Sequence, residues 1–246
     1  MSWRAKLGII YPADGALDDE YWKLAPRGTS VHFTRIPVPQ EEQTLEVLEE
    51  QTLGPDIEQA ARDLNVIRLG AIGYACTSGS FVHGAGGDLE IIKRLESASD
   101  TACTTTSTAA VRALQFLGAE KVSVITPYPE EINARLKTFL QDNGFAVVAL
   151  RGLGLYREIY AQPPGAAYRL AREADHSKAE AIFISCTNFR CLDVLDELEQ
   201  DLGKPVISAN QATMWDLLRL SGVRPLLEGC GSLFRLNRNT TQGASS

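Results

Sequence analysis

The sequence predicts an α/β fold of two pseudo-symmetric flavodoxin-like (Rossmann-like) half-domains, each a parallel sheet flanked by helices, with an active site in the cleft between them. Three observations carry this. Apolar runs of four to six residues alternate with amphipathic stretches long enough for crossover helices, the pattern of strands buried on both faces. The 246 residues, 44% hydrophobic and 22% charged, are enough for two domains of ordinary size. And the chain resembles itself: KLGIIYP (6–12) has an echo in KVSVITPY (121–128), and AIGYACTSGS (71–80) in AIFISCTNFR (181–190), at intervals of 64 and 59 residues from proline to cysteine.

In chain order, Lys6–Tyr11 reads as a buried strand stopped by Pro12. Residues 13–45 read as irregular, broken by Pro26, Pro37 and Pro39. Pro55 opens a helix in its first turn, where a missing N–H is harmless. A strand at Gly70–Ala75, a helix at Asp88–Leu95, a short strand at Ala102–Thr104 and a helix at Ser107–Leu117, capped by Ser107 or Thr108, complete the first unit. The second runs as strand Val122–Thr126, helix Glu130–Asp142, strand Phe145–Leu150, helix Ala166–Ala174, strand Ala181–Ser185, helix Leu192–Leu202, strand Pro205–Ser208 and helix Gln211–Leu220. The expected division is residues 1–106 plus 210–240 for the first half-domain and 107–209 for the second, with 241–246 a frayed tail.

Composition excludes several classes. A net charge of −7 without a basic run argues against nucleic-acid or anionic-membrane binding. No apolar stretch approaches the ~18 residues of a membrane span. The first residues lead straight into a strand and lack the features of a signal peptide, and five cysteines have no framework spacing, so free thiols and a cytoplasmic location are expected. Cys186 and Cys191 have no partner pair for zinc, and neither cysteine loop has the Cys-x₅-Arg spacing of a phosphatase.

Cys76 and Cys186 carry the chemical signal. Each follows a buried strand at its carboxyl end, where open α/β sheets place ligands, and each precedes a threonine and a turn. Backbone N–H groups of such turns can hold a carboxylate and can lower a thiol pKa. Two thiols on opposite walls of one cleft could work on a planar carbon from both faces. The competing reading, thiols as small buried hydrophobes, fits Cys103, Cys191 and Cys230, which lack an equivalent partner in the repeat. Asp14 reads equally as a cleft residue or as part of a turn, and a carboxylate there would repel a dianionic substrate. His83 reads as a solvated loop residue, His32 and His176 as surface, Trp215 as core, and the acidic run 40–51 as a solvated helix face.

The paired motifs ACTSGS (75–80) and SCTNFR (185–190) resemble the aspartate/glutamate racemase superfamily. CTTTSTAAVRAL (103–114), LGAEKVSVITPY (117–128) and VISANQATMWDLLRLSG (206–222) narrow the resemblance to its maleate cis–trans isomerase and arylmalonate decarboxylase branch. It implies Cys76 as nucleophile or base and Cys186 as general acid/base. It implies a carboxylate loop at Thr77 and Ser78, a substrate hydrogen bond from Tyr128, and a second carboxylate nest at Thr187 and Asn188. Pro12, Asp14 and Gly15 occupy the loop after the first strand, where the isomerases carry Pro-Ser-Ser-Asn; the decarboxylases have glycine in place of Cys76. The implied activity is a cofactor-independent isomerase of a small mono- or dicarboxylate, with no metal and a homodimer or homotetramer by analogy. The alternatives are a two-thiol amino-acid or hydantoin-type racemase, an arylmalonate-type decarboxylase, and a carboxylate-binding module without catalysis.

Overall fold

Two four-stranded, wholly parallel sheets form the frame of the computed structural model, which describes residues 3–39, 42 and 44–236. The first sheet comprises β1 (Ala5–Pro12), β2 (Thr29–Ile36), β3 (Ala71–Tyr74) and β4 (Cys103–Thr105) in the order β2-β1-β3-β4. The second comprises β5 (Lys121–Thr126), β6 (Ala146–Gly152), β7 (Ala181–Ile184) and β8 (Val206–Ser208) in the equivalent order β6-β5-β7-β8. The sequence repeat is therefore a repeat of topology: β1 pairs with β3 from Leu7–Ala71 to Ile10–Tyr74, and β5 with β7 from Val122–Ala181 to Ile125–Ile184. In each sheet the order reverses beside the first strand, so a crevice opens at the carboxyl ends of that strand and its neighbour. Pro12–Gly15 and Cys76 follow one such pair; Tyr128 and Cys186 follow the other.

The central strands are buried along nearly their whole length because helices cover both faces. Two helices tie the halves together. Helix Ala209–Leu220 leaves β8, starts on a capping box of Ser208 and Gln211, and packs on helix Thr106–Leu117 and on β3 and β4 of the first sheet. Its buried Asp216 accepts from the Thr104 hydroxyl and Arg112, each at 2.7 Å, and the Thr213 hydroxyl donates to Thr106 at 2.9 Å. Trp215 lies in this core.

The structure departs from the sequence reading in the segment 13–45, which contains helix Asp18–Lys23 and strand β2. β2 lies at the sheet edge and is only half-buried, so its apolar signal is weak beside four prolines. A short helix at Thr77–Phe81 follows Cys76, and helix Ser232–Arg235 ends the described chain. Helix Leu45–Leu53 in the acidic run buries Val47, Leu48, Gln51 and Thr52 rather than standing as a wholly solvated face. The cap of helix Thr106–Leu117 is Thr105, whose hydroxyl accepts from the Thr108 N–H, and not Ser107 or Thr108. Residues 241–246, expected to fray, lie outside the described residues.

Candidate functional site

The two Cys-Thr turns meet. Cys76, Thr77 and Ser78 from the first half and Tyr128, Cys186, Thr187 and Asn188 from the second line one small cavity, together with Tyr11, Pro12 and Asp14. The free volume among them is about 10 Å³, room for about one water molecule. Gly15 is not part of this lining: its N–H closes a turn onto the Pro12 carbonyl at 2.8 Å and its α-carbon packs against the Tyr11 ring, where a β-carbon would come within 2.6 Å. His83 stands outside as well, exposed in its loop with Nε2 2.6 Å from the Thr52 hydroxyl.

Each thiol is held by its own turn. The Gly79 N–H points at Cys76 Sγ at 3.4 Å and the Ser78 hydroxyl lies 3.9 Å from the same sulfur. The Asn188 N–H points at Cys186 Sγ at 3.4 Å. Cys186 reaches this geometry with φ of +95°, in the region that favours glycine. Such a conformation costs on the order of 1–3 kcal/mol and persists only where surrounding contacts enforce it.

Those contacts come from the other half-domain. The Tyr11 hydroxyl donates across the interface to the Thr187 carbonyl at 2.7 Å and lies 3.1 Å from Asn188 Oδ1. Buried Glu20 accepts from the backbone N–H groups of Cys191 and Leu192, each at 3.0 Å, and from Asn210 Nδ2 at 2.7 Å. Asn210 also donates to the Thr187 carbonyl at 3.0 Å. Burial raises the Glu20 carboxyl pKa, opposed by those three hydrogen bonds and by Arg190, which pairs with neighbouring Asp19 at 2.7 Å. Helix Asp18–Lys23 thus fixes the loop behind Cys186 from across the cleft. Glu20 escapes sequence reasoning because it lies outside the repeat, and Asn210, although inside the motif VISANQATMWDLLRLSG, because its partner Glu20 is distant in the chain.

Burial favours the protonated form of both thiols. Burial pushes Cys76 up to about 11 and Cys186 up to about 12, and the Asp14 carboxylate adds to both. The turn N–H groups do act in the opposite direction, as the sequence suggests, but desolvation outweighs them. A phenol accompanies each sulfur: Tyr74 beside Cys76 and Tyr128 beside Cys186. Both hydroxyls are fully buried and lack a hydrogen-bond partner of good geometry, as does Thr77 Oγ1. Unsatisfied buried hydroxyls are costly, and two of these three, on Thr77 and Tyr128, belong to residues that line the cavity. Tyr74, two residues before the cysteine, is invisible to the repeat because its counterpart is Ile184.

Gly79 leaves room for this arrangement. A β-carbon there would sit 2.7 Å from the Tyr74 hydroxyl and 3.0 Å from Cys76 Sγ. Gly79→Ala is expected to destabilise the fold by about 1–3 kcal/mol through overpacking and to displace the thiol. A lower urea midpoint together with an altered rate of Cys76 alkylation would show both effects.

Two thiols lining one small cavity between two parallel-sheet half-domains place this chain among α/β enzymes. The arylmalonate decarboxylase family model matches residues 8–234, and the chain belongs to that family. It is 32% identical to arylmalonate decarboxylase from Bordetella bronchiseptica over 187 residues, covering 71% of this chain and 75% of the relative. It is 24% identical to maleate isomerase from Pseudomonas putida KT2440 over 224 residues, covering 85% and 86%. The structure superposes with a TM-score of 0.88 on a cysteine-to-serine variant of maleate cis–trans isomerase from Nocardia farcinica that holds a covalently bound succinylcysteine intermediate, at 21% identity and over 95% of this chain and 99% of that one.

Proposed function

We propose that this protein is a cis–trans isomerase of a small unsaturated carboxylate, with Cys76 as nucleophile and Cys186 as general acid and base. The observation that carries the reading is the presence of both thiols in the lining of one small cavity, each beside its own phenol. Decarboxylation needs a single proton donor, and Cys186 alone would serve; the identity to the Bordetella relative keeps that reaction as the second reading. It leaves Cys76 without a task.

In this scheme the Cys76 thiolate adds to one alkene carbon, and the electron pair moves onto the adjacent carboxylate. Cys186 donates its proton to the neighbouring carbon and becomes a thiolate. The former double bond is now single and rotates. Cys186 then removes the proton from that carbon, the double bond re-forms, and the bond to Cys76 Sγ breaks to return the thiolate. Every proton and electron pair is restored at the end of the cycle. A thiol with a pKa near 11 is ionised only to about one part in 10⁴ at pH 7, but the thiolate so formed is the stronger nucleophile. The Gly79 N–H and the Ser78 and Tyr74 hydroxyls surround the position of that charge. The hydroxyls of Thr77 and Tyr128, both in the lining, would serve the carboxylate on which electron density accumulates.

The test is a product screen in D₂O with small cis-enoic acids, maleate among them, followed by NMR. Conversion to the trans isomer is expected. Decarboxylation of arylmalonates without any isomerisation would establish the second reading instead. The five buried, unpaired cysteines fit a reducing compartment, and we place the enzyme in the cytoplasm on that ground.

A further inference from the structure

The repeat places a threonine after each cysteine of the pair, Thr77 after Cys76 and Thr187 after Cys186, and both are buried. The fold treats them differently. Thr77 Oγ1 has no hydrogen-bond partner among the described residues. The Thr187 hydroxyl donates across the interface, at 3.2 Å, to the carbonyl of Ala75, the residue directly before Cys76. A hydroxyl carries one proton, so the proton of Thr187 is engaged within the protein. The Thr187 carbonyl in turn accepts from the Tyr11 hydroxyl at 2.7 Å and from Asn210 Nδ2 at 3.0 Å, and Asn210 Nδ2 also donates to buried Glu20. Tyr11 and Ala75 stand at the carboxyl ends of β1 and β3, neighbouring strands joined at this point by the Ala75 N–H and the Ile10 carbonyl at 2.8 Å. Thr187 is thus pinned to two adjacent strands of the first sheet, one residue from Cys186, whose φ of +95° persists only where contacts enforce it.

We propose that the Thr187 side chain is a positioning group and not a substrate ligand: its hydrogen bond to the Ala75 carbonyl straps the Cys186 turn to the Cys76 turn and sets where the Cys186 thiol stands relative to a substrate carried on Cys76. This rests on the reading in which Cys186 exchanges a proton with the substrate. The two Cys-Thr motifs, alike in sequence, then divide the work. One threonine keeps its hydroxyl unengaged beside the cavity; the other holds the two half-domains in register. Proton transfer is sensitive to such placement, since an error of about 1 Å can cost about 100-fold in rate.

The experiment measures kcat and KM with maleate for Thr187→Val, which keeps the shape of the side chain and removes its donor, and for Thr187→Ser, which keeps the donor. The valine variant is expected to lose about 100-fold in kcat with KM within about threefold of the parent. The serine variant should recover kcat to within about threefold of the parent. An unchanged kcat in Thr187→Val, a KM raised about tenfold or more as loss of a substrate ligand would give, or a serine variant as slow as the valine one overturns the assignment while leaving the isomerase reading intact. Should the valine variant not fold, Tyr11→Phe removes the other bond that pins Thr187 to the first sheet: kcat should fall about tenfold at constant KM, and an unchanged kcat refutes the strap. If maleate is not isomerised but an arylmalonate is decarboxylated, the isomerase reading fails and the same measurements are made on the arylmalonate, because Cys186 delivers the proton in that reaction too. If neither compound is turned over, iodoacetamide decides. Cys186 should then be alkylated about tenfold faster in Thr187→Val than in the parent or in Thr187→Ser, and equal rates refute the strap.

Discussion

Cys76→Ala is expected to lower isomerisation by about 10⁴-fold or more, because the substitution removes the atom that forms the covalent bond and nothing else in the cavity can replace it. The Cys186 sulfur is held by the Asn188 N–H, and the phenols of Tyr74 and Tyr128 are acids too weak and too buried to act as nucleophiles. The same variant distinguishes the two chemistries of the family. A decarboxylase needs one proton delivered to one face, so any decarboxylation of an arylmalonate would survive the loss of Cys76. An isomerase or racemase would not. Folding is not in question, since removing one buried sulfur beside a small cavity costs little compared with a large core truncation. Retained isomerisation in Cys76→Ala would end the two-thiol scheme. The wild-type thiol provides an independent check. With its pKa near 11, the rate of Cys76 alkylation should climb about tenfold per unit from pH 7 to pH 10 without a plateau. A plateau near pH 8 would mean that the turn N–H groups outweigh desolvation after all.

The frame was legible because it depends on patterns that the sequence displays directly. Runs such as Val122–Ile125 and Ala181–Ile184 are apolar on both faces only because helices cover both sides of a parallel sheet, and the duplicated Cys-Thr after equivalent strands marks the duplicated topology. Edge strand β2 was not legible, since half-burial leaves residues such as Ser30, His32 and Thr34 in an extended segment among prolines. The engagement of the Thr187 and Asn188 side chains was hidden for a different reason. Thr187 and Asn188 are suitable residue types for a carboxylate nest, but whether a donor is free depends on contacts 112 and 174 positions away, at Ala75 and Asp14. The protonation of the thiols shows the same limit: local sequence supplies the turn N–H groups that favour thiolate, whereas the tertiary fold supplies the burial that disfavours it. Glu20 is legible only after folding, because its partners Cys191, Leu192 and Asn210 belong to the other half of the chain.

Cys186→Ser should separate the two halves of the catalytic cycle. Serine keeps the size and the turn, but its hydroxyl is a far weaker acid than a thiol, so protonation of the carbon next to the new C–S bond slows. Once a proton from solvent has reached that carbon, removing it again requires a base that serine does not provide. The saturated adduct on Cys76 should therefore accumulate while turnover falls by about 10³-fold or more. Intact-mass analysis after incubation with substrate would show the protein heavier by one substrate molecule, and peptide mapping would place the addition on Cys76. The φ of +95° at this position adds a second expectation. Serine tolerates that conformation no better than cysteine, so the strain remains and the stability of the variant should stay within about 1 kcal/mol of the parent. Loss of turnover without an adduct, in a protein of unchanged stability, would mean that the proton from Cys186 is what traps the adduct, since an unprotonated addition reverts to alkene and thiolate.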